Sequence, residues 1–145
     1  MTIKVAFCVI GASFAMLGCA HQMTMAMPQT CSSAPCNVDV ARKGWLFTWY
    51  DLPDKIIVDV ARPMTITWTL NATFPADNYF NPGRPIEFKP PEIARYFRCS
   101  PDQQNLTQPR SVSCINEAPK GEYKYGLRTK GPFSPPDQDP TVVNN

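Results

Sequence analysis

The sequence predicts an all-β protein, an antiparallel two-sheet sandwich of seven to eight strands behind an N-terminal export segment. Alternation is the first observation. Met64-Thr-Ile-Thr-Trp-Thr-Leu70 puts its apolar side chains on one face and its threonines on the other, and Tyr123, Tyr125 and Leu127 alternate with Lys124, Gly126 and Arg128. A period of two marks a strand with one face in a core and the other in water. Proline usage is the second: 16 prolines against 7 glycines fall between the apolar stretches. An interior proline costs a helix about 3 kcal/mol through a lost hydrogen bond and a clash with the preceding turn. Third, no sustained helical repeat follows Leu17. Short strands separated by Pro, Asn and Asp, in a chain sized for one domain, close most economically as two packed sheets.

Residues 1–20 read as a signal peptide: Lys4 supplies a positive start, Val5 to Leu17 an apolar run, and Gly18-Cys19-Ala20 a small-residue end. The run is too short for a helix crossing a bilayer of roughly 30 Å, which takes about 20 apolar residues. A Met-rich linker, 21–35, follows, and 36–145 form the sandwich domain with a Pro-rich C-terminal tail.

Ala15-Met-Leu-Gly-Cys19 resembles the lipobox of bacterial lipoproteins, in which a small residue precedes a cysteine that is lipidated and becomes the mature N-terminus. That resemblance implies lipidation at Cys19 and attachment of an exported, periplasmic protein to a membrane through the lipid. Ala20 stands where an Asp would retain such a protein at the inner membrane, so the outer membrane is implied. The resemblance covers this segment alone. An ordinary small-x-small cut at Gly18-Cys19-Ala20 or Thr24-Met25-Ala26 is the alternative.

The strands are expected in order. Asn37 to Ala41 alternates through Val38 and Val40, while Trp45 to Tyr50 is apolar on both faces and suits a covered strand. Lys55 to Ala61, Met64 to Leu70, Pro85 to Lys89, Ala94 to Cys99, Ser111 to Ile115 and Tyr123 to Arg128 continue the set. Thr141 to Val143 adds a last short strand at an edge. Asn71 to Arg84 and Ser100 to Arg110 are long loops, and Gly131 to Pro140 is expected as extended, polyproline-like chain.

Two of the six cysteines lie in the export segment, leaving Cys31, Cys36, Cys99 and Cys114. An even number in an exported chain implies disulfides, with three possible pairings. Cys31 with Cys36 and Cys99 with Cys114 are favoured, each pair being close in sequence and the second tying neighbouring strands. Neither pair has the C-x2-C spacing typical of zinc.

A formal charge of +2, with scattered Lys and Arg, gives no sign of nucleic-acid binding. His21, Met23, Met25 and Met27 alternate imidazole and thioether ligands that suit Cu(I), and the run resembles Met-x-Met segments of exported copper-handling proteins. A sandwich of this size with a cysteine in a late hairpin resembles cupredoxin and immunoglobulin-like domains. A blue-copper site takes two histidines and a cysteine thiolate, and His21 is the sole histidine, so a cupredoxin-like fold here is a version without copper. Gly121-Glu-Tyr-Lys-Tyr-Gly-Leu127 is similar to small exported bacterial β-sandwich proteins of no assigned activity. No serine or cysteine sits in a nucleophile-elbow context, and His21 lies before the domain, so a hydrolytic triad is not expected. If Tyr50 faces outward while Trp45, Phe47 and Trp49 face in, Tyr50, Tyr79 and Phe80 form an aromatic patch for a partner or glycan. Lys124, Arg128 and Lys130 would line one strand face and blunt an edge. The expected role is that of a non-enzymatic envelope module whose partner is an envelope protein or polymer, with copper handling as the alternative.

Overall fold

A computed structural model describes residues 27–44, 48–136 and 138–145. Twelve strands are present among them: β1 (Gln29–Cys31), β2 (Cys36–Lys43), β3 (Trp49–Asp51), β4 (Lys55–Val58), β5 (Met64–Leu70), β6 (Tyr79–Phe80), β7 (Ile86–Lys89), β8 (Phe97–Pro101), β9 (Ser111–Asn116), β10 (Gly121–Leu127), β11 (Thr129–Lys130) and β12 (Thr141–Asn144). A 3-10 helix, Pro91–Tyr96, occupies the start of the strand expected from Ala94. Its sequence opens Pro90-Pro91, which removes two backbone donors and presets the turn.

One five-stranded sheet runs β1-β4-β12-β10-β7 and the other β3-β2-β5-β9-β8, with β11-β6 as a small ribbon. Both large sheets are mixed rather than antiparallel throughout: β4 lies parallel to β1 and β12, and β2 parallel to β5. The connections explain this. The chain leaves β3 for β4 in the other sheet and returns at β5, arriving beside β2 in the same direction; parallel neighbours need such a crossover. The C-terminal strand β12 is not at an edge but between β4 and β10. β10 therefore lies inside its sheet, so Lys124 and Arg128 do not guard an edge.

The core is apolar side chains from both sheets, an arrangement compatible with a sandwich. In β5 Met64, Ile66, Trp68 and Leu70 are all buried, as their alternation requires. Trp68 meets Tyr125 of the opposite sheet edge-on at 5.3 Å, and its indole N–H donates to the Tyr125 hydroxyl at 3.2 Å. Burial pushes the Tyr125 phenol well above its ordinary pKa. Phe88 of β7 stacks on Phe97 of β8 at 4.0 Å, joining the sheets at their other end. A buried amide pair forms a third link: Asn116 Nδ2 donates to Asn144 Oδ1 at 2.8 Å, and Asn144 Nδ2 donates back at 3.2 Å. Among the described residues no helix is long and apolar enough to cross a membrane.

Candidate functional site

Both favoured cysteine pairs are brought together at disulfide distance. Cys99 and Cys114 sit directly opposite on β8 and β9, with Cα atoms 3.9 Å apart. Cys31 and Cys36, 5.5 Å apart, join β1 of one sheet to β2 of the other. The first strand thus lies within the stretch expected as linker. Disulfides closing loops of 15 and 5 residues contribute about 3 and about 2 kcal/mol in the chain-entropy model.

Two of the three residues expected as an aromatic patch lie inside the protein. Tyr50 is 3% exposed and Phe80 fully buried, while Tyr79 is half-buried. The faces of β3 are reversed from expectation, with Trp49 outward at 41% exposure. Register is the cause: Tyr50 lies opposite Arg42, which shares its face with buried Val38 and Val40. The Tyr50 hydroxyl shares a 2.7 Å hydrogen bond with Thr129 Oγ1, and Thr129 pairs with Phe80. Tyr50 and Phe80 are therefore packed in the interior rather than offered as a surface. Trp45, Leu46 and Phe47 lie outside the described residues.

Arg110, which no sequence motif singles out, organises a loop. Nη1 donates to the carbonyls of Pro75 and Asn78 at 2.7 and 3.0 Å, and Nη2 to those of Asn71, Leu70 and Phe74 at 2.9, 3.2 and 3.5 Å. Five carbonyls around one guanidinium fold residues 70–78 into a fixed turn. Asn71-Ala-Thr73 and Asn105-Leu-Thr107 each form a turn as well: Thr73 Oγ1 donates to Asn71 Oδ1 at 2.6 Å and Thr107 Oγ1 to Asn105 Oδ1 at 3.1 Å.

Among the described residues a concave feature lies elsewhere, between β7 and the 3-10 helix. A cleft of about 210 Å³ is lined by Arg84, Ile86, Glu87, Phe88, Pro91 and Ala94. Its lining is mixed, with Ile86, Phe88, Pro91 and Ala94 supplying apolar surface and Arg84 and Glu87 charge. Arg128 Nε donates to Glu87 Oε2 at 2.7 Å, Nη2 donates to the same oxygen, and Arg84 Nη1 approaches Oε1 at 3.5 Å. The Arg128 hydrogen bond holds the Glu87 carboxyl below its ordinary pKa, against an opposing effect of burial. Glu87 is thus an ionised, engaged carboxylate suited to fixing arginines. Arg84, more than two-thirds exposed, keeps donors that point to no other protein group among the described residues. Sequence reasoning reached strand 85–89 but not the cleft, because the wall facing it is a helix formed where a strand was expected.

Cys19, His21, Met23 and Met25 lie outside the described residues. Met27 is 84% exposed. Among the described residues no group of three or more His, Cys, Asp and Glu side chains gathers as a metal site would. No family model, curated protein sequence or solved structure matches the chain.

Proposed function

We propose that this chain is an exported protein of the cell envelope, a disulfide-tied β-sandwich anchored to the outer membrane through a lipid on Cys19 and acting as a non-enzymatic binding or structural module. The observation that carries the reading is the approach of all four cysteines after the leader as two pairs, one of them across the sheets. Such pairs persist in oxidising compartments and are rare in the cytosol, which agrees with the export pattern of residues 1–20. The parallel neighbours in both sheets depart from the all-antiparallel immunoglobulin plan. For the binding role, the cleft beside β7 is the supporting feature, being concave and lined by both apolar and charged residues.

Fractionation of bacterial cells expressing the chain tests the reading. The wild type is expected in the outer-membrane fraction, and Cys19→Ala in the soluble periplasmic fraction or retained unprocessed at the inner membrane. A wild-type protein recovered from the cytoplasm would contradict it. Crosslinking in the same intact cells is expected to trap an envelope protein or polymer.

A further inference from the structure

The two large sheets have four edges, and they differ in what they offer an added strand. β1 and β3 are three residues long. β8 ends in Pro101, which has no N–H, and the N–H of Phe97 donates to Ala94 O. Short edges, prolines and covering loops are common protections against an added strand. The fourth edge, β7, runs four residues between Pro85 and Pro90 and has no proline within it. Two hydrogen bonds fix the phase of its ladder with β10: Arg128 N–H donates to Pro85 O at 2.9 Å, and Tyr125 N–H turns away from β7 to Pro140 O at 3.0 Å. Antiparallel neighbours alternate between bonded and non-bonded pairs. Glu87 and Lys89 therefore bond to Gly126 and Lys124, while Ile86 and Phe88 turn their N–H and C=O groups outward. Among the described residues no backbone or side-chain partner meets those four groups.

These outward groups lie along the cleft, whose far wall is Pro91 and Ala94 of the 3-10 helix. We infer that the cleft receives an extended peptide as an added antiparallel strand on β7, with a carboxylate of that peptide held by Arg84. The inference deepens the reading of this chain as a binding module and rests on it. Ile86 and Phe88 are two residues apart, so an antiparallel partner would exchange two hydrogen bonds with each, four in all. Three residues at about 3.3 Å each expose about 10 Å of edge, enough for two or three residues of ligand. Arg84 stands before the N-terminal end of β7, which is where an antiparallel ligand ends. Its guanidinium thus meets the terminal carboxylate or an acidic side chain at the last position. Ligand residues opposite Ile86 and Phe88 project to the same face as those two buried side chains, so apolar side chains are selected at the last and third-last positions.

Protein purified from cells expressing the full chain would be titrated with a fluorescein-labelled hexapeptide carrying valine at its last and third-last positions and serine elsewhere. The free acid is expected to bind with a Kd below about 1 mM. Amidation of its C-terminus is expected to weaken binding at least about tenfold, as is Arg84→Ala, a substitution at an exposed side chain. An amidated peptide ending in aspartate separates the two carboxylate sources: recovered affinity assigns the acidic side chain, and no recovery assigns the terminal carboxylate. Amide hydrogen exchange gives a second readout, with Ile86 and Phe88 slowed by the peptide and Glu87 already slow without it. Equal binding of acid and amide, or no binding of the free acid at about 1 mM, would overturn the inference. So would slow exchange at Ile86 and Phe88 in a dimer without peptide, which would assign the edge to a second copy. None of these results bears on the anchoring of the protein, which fractionation reads separately.

Discussion

At the scale of single residues, polar groups do as much to define this protein as apolar ones. Arg110 is the clearest case, because its guanidinium donates to five carbonyls of one loop. A hydrogen bond from a charged donor contributes about 1.5–3 kcal/mol, and a buried acceptor left without one costs a comparable amount. Arg110→Met keeps the stem and removes the fork, so it is expected to lower unfolding free energy in urea by roughly 3 kcal/mol. Arg110→Lys should recover only part of that, since a point charge cannot reach carbonyls on both sides. Equal stability of Met and wild-type proteins would remove Arg110 from this role. Nothing in the sequence marks the residue, as its partners are backbone atoms 32 to 40 positions away.

At the scale of elements, the alternation that predicts strands also sorts their faces when one face is wet. The buried set of β5 and the buried tyrosines of β10 follow directly from Met64 to Leu70 and Tyr123 to Leu127. Trp49-Tyr50 defeats the same logic, because both residues are large and apolar and only pairing with β2 decides which turns inward. The joint between β11 and the C-terminal tail shows how a glycine can be fixed by what lies beneath it. Gly131 has φ near +120°, and a Cβ there would stand 2.7 Å from Asp77 O and 2.8 Å from Asn78 Cα. Asn78 below it is fully buried and donates to the Lys130 and Phe133 carbonyls at 3.3 and 3.0 Å. Gly131→Ala is expected to cost roughly 1–3 kcal/mol, whereas Gly83→Ala, whose Cβ meets only Asn81 Oδ1 at 3.8 Å, should change stability by less than about 0.5 kcal/mol. Thermal unfolding of the two variants side by side checks the contrast, and equal losses would contradict it.

At the scale of the whole molecule, the β-rich class and the cysteine pairing are legible in the sequence for reasons that do not depend on topology. Prolines between apolar runs exclude long helices wherever the strands end up, and Cys31 with Cys36 and Cys99 with Cys114 are near neighbours along the chain. The mixed order of the sheets is not legible, since the crossovers from β3 to β4 and from β4 to β5 leave no local pattern. The insertion of β12 between β4 and β10 is hidden for the same reason: Thr141-Val-Val-Asn144 alternates alike at an edge or in the interior. The cleft follows from those hidden choices, because it requires β7 to be an edge beside a helix. What joins these scales is the claim that the chain works as an oxidised, anchored envelope protein. Its most direct test is the intact mass of the protein recovered from the envelope and alkylated without prior reduction. The expected mass lacks residues 1–18, carries acyl chains on Cys19 and shows no alkylation at Cys31, Cys36, Cys99 or Cys114; an unprocessed chain with those four cysteines alkylated would contradict the claim.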